Sequence, residues 1–150
     1  MKFGPHDYLQ ASLERLAEAQ QLYGDSRYVG CLYLAGVAVE ALLLAYHLRR
    51  NRAFEARHDL AGLAKDSGLL EFVPIARRAE IAAHLGDVWE RWKNNYRYAG
   101  DARLRSEFRR IGLARGIKGD YVKKSAQVSL EAALAIVAVG VERFRGKIHE

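Results

Sequence analysis

The sequence predicts an all-α protein: four main helices and one or two short ones, most economically packed as an up-and-down bundle. Three observations carry this expectation. Apolar residues recur at three- and four-residue steps along most of the chain, and no segment sustains the alternation of a strand. Prolines, glycines and capping residues fall between these periodic stretches, where helix ends belong. One run, residues 27–50, is so continuously apolar that the amphipathic segments around it would need it as their core.

The first helix opens at Pro5 and Asp7, carries Leu9, Leu13, Leu16, Gln20 and Tyr23 along one side, and closes at residues 24–26. Asp25 or Ser26 is placed to cap the second. That helix holds Gly30, Ala35, Gly36 and Ala38, small enough to let neighbours approach, and it should be the most buried element. A connector follows, then a short helix opened near His58 or Asp59 and stopped near Gly68. Pro74 suits the first turn of the next helix, with Ile75, Ala79, Ala82, Leu85, Trp89 and Trp92 as its expected apolar stripe. The paired asparagines and Gly100 in residues 93–103 read as a loop. A short basic helix with Leu104, Phe108 and Ile111 on one side comes next. Asp120 then caps a last helix from 121 to about 144, apolar through Val128, Leu130, Leu134, Val137 and Val141.

A chain of 150 residues, half hydrophobic and 28% charged, is expected to form one ordered domain spanning residues 1–150. Residues 1–10 lack the layout of a secretory signal, and the single Cys31 has no partner for an internal disulfide, so a cytoplasmic protein is the expectation. Residues 29–48 are long enough to span a bilayer, but Glu40 sits near their middle. A charge there costs roughly 2.5 to 3.5 kcal/mol on insertion scales, which favours a buried helix over a membrane span. The net charge of +6 is unevenly spread: residues 91–124 hold eleven basic side chains against Asp101, Glu107 and Asp120. Such a concentration attracts phosphates, or else forms a solvated face.

Glu40 cannot stay bare among valines and leucines. Arg97 and Tyr98 are its expected partners, giving a structural buried charge, since guanidinium and phenol both donate to a carboxylate. Lys93, Arg97 and Arg103 interleave with Tyr96 and Tyr98, a pattern that can bind phosphate and stack a base or can simply edge the core. Five scattered histidines and one cysteine spell no metal site, no phosphate-loop or dinucleotide motif occurs, and no cofactor is expected. Ser125 and Ser129 have no base spaced to activate them.

Residues 26–50, followed by "HDLAGLA" at 58–64 and then Trp89, Trp92, Arg97 and Tyr98, resemble the HEPN superfamily, nucleotide-binding helical domains of higher eukaryotes and prokaryotes. Val39 and Glu40 match the valine-glutamate of the family's long second helix. Leu44 stands where many members carry lysine. The resemblance implies a four-helix bundle, commonly a homodimer. Some members are metal-independent RNases using Arg-x(4–6)-His, often toxins of toxin-antitoxin systems; others bind nucleotides or RNA, frequently beside a nucleotidyltransferase partner. Three pairs fit the RNase spacing: Arg52 with His58, Arg77 or Arg78 with His84, and Arg143 with His149. In such chemistry histidine moves the proton of the attacking 2′-hydroxyl and arginine stabilises the phosphate. With arginine this abundant, about one or two matches follow from composition alone. Arg52 and His58 rank first, because His58 opens a helix after a basic connector. The expected function is therefore a HEPN-like nucleotide or nucleic-acid binding module, with an RNase on Arg52 and His58 as the alternative and a ligand-free scaffold or antitoxin-like protein as a second.

Overall fold

The computed structural model describes residues 1–50 and 59–146, and all regular secondary structure among them is helical. The fold class is all-α. Seven α-helices follow in order: α1 (Pro5–Gly24), α2 (Tyr28–Arg50), α3 (Leu60–Ser67), α4 (Leu69–Phe72), α5 (Arg78–Glu90), α6 (Asp101–Arg110) and α7 (Tyr121–Gly146). Two 3₁₀ turns, Ile75–Arg77 and Asn94–Tyr98, lead into and out of the α5 region. The four longest helices meet through α2 and α7: α1 packs on both, and α5 lies mainly against α7. Short elements outnumber the one or two expected, because the stretch between Leu60 and Arg77 breaks at Gly68 and again at Pro74.

α1 starts where Pro5 supplies a preset φ and the Gly4 N–H donates to Asp7 Oδ2 at 2.7 Å. Its buried line runs through Leu9, Ser12, Leu16 and Ala19, whereas Gln20, expected on that line, is exposed. The chain reverses through Ser26, whose φ of 59° is left-handed, and the Arg27 N–H donates to Leu22 O at 2.8 Å. Neither Asp25 nor Ser26 caps α2 as expected: Asp25 closes α1, and the Ser26 hydroxyl accepts from the Tyr28 hydroxyl at 3.3 Å.

α2 is the core, with Cys31, Ala35, Val39, Leu42, Leu43 and Ala45 wholly enclosed. Its buried neighbours are tied by polar groups as well as by packing. Ser12 donates to Ala38 O at 2.6 Å, joining α1 to α2, and Tyr46 donates to Gly140 O at 2.6 Å, joining α2 to α7. Each bond satisfies a hydroxyl that would otherwise be buried at a cost. Two glycines permit close approach: the Trp92 indole lies directly on Gly36, and the Leu42 side chain lies on Gly140. The Cys31 thiol is buried, and desolvation pushes its pKa up to about 12.

Both α2 and α7 are long and apolar enough to cross a membrane, and 67% and 61% of their most apolar windows are buried within the protein, as core helices are. At the far end of α2, the Arg49 guanidinium lies over the rings of Phe144, Tyr46 and Phe72 at 3.9, 5.1 and 5.5 Å from their centroids. It also donates to Phe144 O at 3.1 Å, so one cation pins the C-terminal turn of α7 to α2 and α4.

The stripe expected around α5 holds at Leu85 and Trp92 and fails at Ile75, Ala79 and Trp89. Ile81, Leu85, Val88 and Trp92 face the core, while Ile75 and Trp89 are 80% and 40% exposed and Ala79 is also exposed. The 3₁₀ turn Ile75–Arg77 precedes the helix, so Ile75 never enters its register.

α7 begins as expected at Asp120, whose Oδ1 accepts from the Val122 and Lys123 N–H groups at 3.0 and 3.1 Å. Val137 and Val141 are buried along it, whereas Val128, Leu130 and Leu134 are only half-buried and the inner line runs through Val122, Ala126, Ala133 and Ile136. Arg105 grips the same Asp120 carboxylate at 2.8 and 3.3 Å and Asp101 at 2.7 Å, fastening α6 to the start of α7. The guanidinium, and then the backbone donors, hold the Asp120 carboxyl below the usual range. Its contribution to stability is present at neutral pH and fades as pH falls through about 4 and below. Asp120→Ala is expected to cost about 1 to 2 kcal/mol at pH 7 in urea unfolding, and the difference from wild type should shrink toward pH 3. A difference that stays constant with pH would show that the charge contributes nothing.

Candidate nucleic-acid interface

After α5 the chain is anchored by Trp92, 4% exposed, whose Nε1–H donates to Tyr33 O at 3.0 Å. Lys93 is extended, with φ −136° and ψ 147°, and in the 3₁₀ turn Asn94–Tyr98 that follows no residue is fully buried, though Tyr96 packs against the core. α6 is held by Leu104 and Phe108, both buried, and by the Tyr121 hydroxyl, which donates to Arg105 O at 3.0 Å. The turn and the helix enclose a cleft of about 310 Å³, lined by Lys93, Asn95, Tyr96, Tyr98, Arg103 and Glu107, with Ala99 and Leu104.

The Tyr96 ring lies edge-on to Phe108 at 6.1 Å. Its hydroxyl is sealed from bulk solvent and has no hydrogen-bond partner among the described residues. Burial raises its pKa, and the Glu107 carboxylate adds to the rise. Glu107 is itself held below the usual carboxylate range, first by Arg110, which donates from Nε to Oε2 at 3.0 Å, and then by the fields of Lys93 and Arg103. Tyr98 is 78% exposed at the rim with the Arg97 guanidinium 4.7 Å from its ring centroid. The cleft thus combines an amide, two cations and a presented aromatic face with the Glu107 carboxylate, which Arg110 engages. Cations and donors of this kind bind a phosphate, and the ring offers a planar group a surface on which to stack.

Of the residues singled out in the sequence, Lys93, Tyr98 and Arg103 converge on this cleft, and Arg97 adjoins it through Tyr98. Glu107 was not singled out, although its spacing of four from Arg103 and three from Arg110 places all three on one side of a helix. Glu40 is 8% exposed and engaged, as a buried charge must be. Arg97, expected to serve it, is instead engaged with Tyr98 and Tyr33.

Arg52 and His58 lie outside the described residues, as does His149. The pairing of Arg77 or Arg78 with His84 is occupied locally. Arg77 meets Glu80 at 3.4 Å, His84 lies 3.8 Å from the same carboxylate, and Arg78 donates to Val73 O at 3.0 Å and Glu71 O at 3.2 Å. No group of three or more His, Cys, Asp or Glu suited to a metal ion occurs among the described residues.

The all-α scaffold and this cleft together present two cationic side chains and one exposed aromatic ring at a single rim of a helical domain. Comparison with protein-family models, curated proteins and solved structures returns no match for the chain.

Proposed function

We propose that the protein is a HEPN-like module that binds a nucleotide or nucleic acid in the cleft between the 3₁₀ turn Asn94–Tyr98 and α6. The supporting observation is the pairing of Lys93 and Arg103 with a tyrosine ring 78% exposed at the same rim. An exposed aromatic face stiffened by a neighbouring guanidinium costs little to desolvate against a base, and the cations supply attraction for its phosphate. The resemblance in the sequence adds a homodimer and a nucleotidyltransferase partner to this reading, and a role in a toxin-antitoxin system.

Isothermal titration with a ribonucleoside monophosphate and with short RNA tests it. Binding that weakens with salt, drops about tenfold in Tyr98→Ala and falls comparably in Arg103→Ala is expected. Full-strength binding by both variants would move the site elsewhere. The RNase alternative predicts a different outcome in the same samples: cleavage of the RNA in the presence of EDTA, lost in His58→Ala.

A further inference from the structure

The cleft is one end of a longer cationic surface. The three acidic side chains of residues 91–124 are each held by an arginine: Asp101 and Asp120 by Arg105, and Glu107 by Arg110. Two of the eleven cations therefore hold all three acids. Among the described residues, Lys93, Arg97, Arg103, Arg109, Arg115, Lys118, Lys123 and Lys124 have no carboxylate within ion-pair distance, while Arg91 pairs with Asp87 and Glu90. Five of these eight are on α6 or its flanking turns and all are exposed to solvent. On α6 itself Arg103, Ser106, Arg109 and Arg110 share the outward side, opposite Leu104 and Phe108. Ala102 and Ser106 between them are small, which leaves the strip between the guanidinium groups low. A mononucleotide in the cleft reaches Lys93 and Arg103 and leaves the rest without an anion, with Arg109 lying 3.5 Å from the Tyr121 hydroxyl and Arg97 over the Tyr98 ring.

We infer that the ligand is a single-stranded nucleic acid several nucleotides long, seated with one base on Tyr98 and its phosphodiester chain along the outer side of α6 toward Arg109 and Arg115. This rests on the reading of the cleft given above and fixes its ligand class. α6 has 10 residues, about 15 Å of rise, which at the roughly 3.4 Å per phosphate of a stacked strand faces at most about four phosphates, fewer if the strand is extended. A single strand is indicated over a duplex because only an unpaired base can lie flat on the presented Tyr98 ring. Ribose and deoxyribose strands share this chemistry, and parallel titrations tell which is held more tightly.

The test is fluorescence anisotropy of the full chain with a labelled single-stranded oligouridylate of about eight nucleotides, in the range of site sizes for such binders. Its deoxy counterpart, uridine monophosphate and inorganic polyphosphate serve as competitors. The oligomer is expected to bind with a log-log salt slope of about −2 or steeper, at about −0.7 per phosphate neutralised. Arg109→Gln, which lies outside the cleft, should flatten that slope by about 0.7 and leave monophosphate affinity unchanged. Tyr98→Ala should weaken oligomer and monophosphate alike by about tenfold. If the monophosphate matches the oligomer and Arg109→Gln changes nothing, the extended track is wrong while the cleft survives. Polyphosphate binding as tightly as the oligomer, with Tyr98→Ala silent, would overturn the assignment to nucleic acid. If neither oligomer nor monophosphate binds, the cleft reading fails and this inference with it.

Discussion

Trp92→Ala is expected to lower the unfolding free energy by about 3 to 5 kcal/mol, the range for removing a buried aromatic side chain. The indole is 4% exposed, donates to Tyr33 O at 3.0 Å, stacks beside the Tyr33 ring with centroids 6.1 Å apart and rests on Gly36. Its loss removes packing from α2 and leaves a space the helices cannot close without moving. The partner change tests the same contact from the other side. A methyl group at Gly36 overlaps the indole, so Gly36→Ala should cost about 1 to 3 kcal/mol in the wild type. In the Trp92→Ala background the overlap is gone, and the alanine should recover about 0.5 to 1 kcal/mol through helix propensity. Urea unfolding of the four proteins gives the coupling directly. Simple additivity of the two changes would mean that the indole does not press on α2.

Phe108→Ala is expected to act on both the scaffold and the ligand. Phe108 is fully buried, and with Leu104 it forms the apolar anchor of α6, beside the polar ties of Arg105 to Asp120 and of Tyr121 to Arg105 O. Its removal should cost up to about 3 to 5 kcal/mol, less if α6 detaches locally before the other helices open. Because the Tyr96 ring rests edge-on against Phe108, the cleft floor goes with it. Oligonucleotide affinity should then fall at least tenfold, and amide exchange in α6 should quicken more than in α2. Phe108→Leu keeps most of the volume and should stay within about 1.5 kcal/mol of wild type with binding largely retained. Equal exchange rates in α6 and α2 for Phe108→Ala would mean that α6 is not an independently anchored unit.

The ends of the long helices were legible because local chemistry sets them. Pro5 with Asp7 opens α1, Gly68 in a left-handed conformation stops α3, and the Asp120 side chain caps α7, each within a few residues of the signal. The register of α5 was only partly legible: Leu85 and Trp92 are buried as expected, but Ile75 and Trp89 are apolar and fall on a helical spacing too. Only the neighbours of α5 decide that Ile81 and Val88 join Leu85 and Trp92 on the inner side. Much of the candidate site was legible for the same reason as the helix ends: Lys93, Arg97, Tyr98 and Arg103 are close in sequence, and a turn brings them to one rim. The company of Glu40 was not. A buried carboxylate announces that it needs a donor, but the donor's position depends on how distant segments fold back, which spacing along α2 does not encode.

Cys31 gives the molecule an internal clock. It is the chain's single thiol, wholly enclosed in α2, with its acidity suppressed so that almost none is thiolate at neutral pH. An alkylating reagent can reach the sulfur only when the helices part. The rate of its modification, followed by mass without any engineered label, therefore measures how often the core opens, and a bound oligonucleotide should slow that rate in proportion to its occupancy.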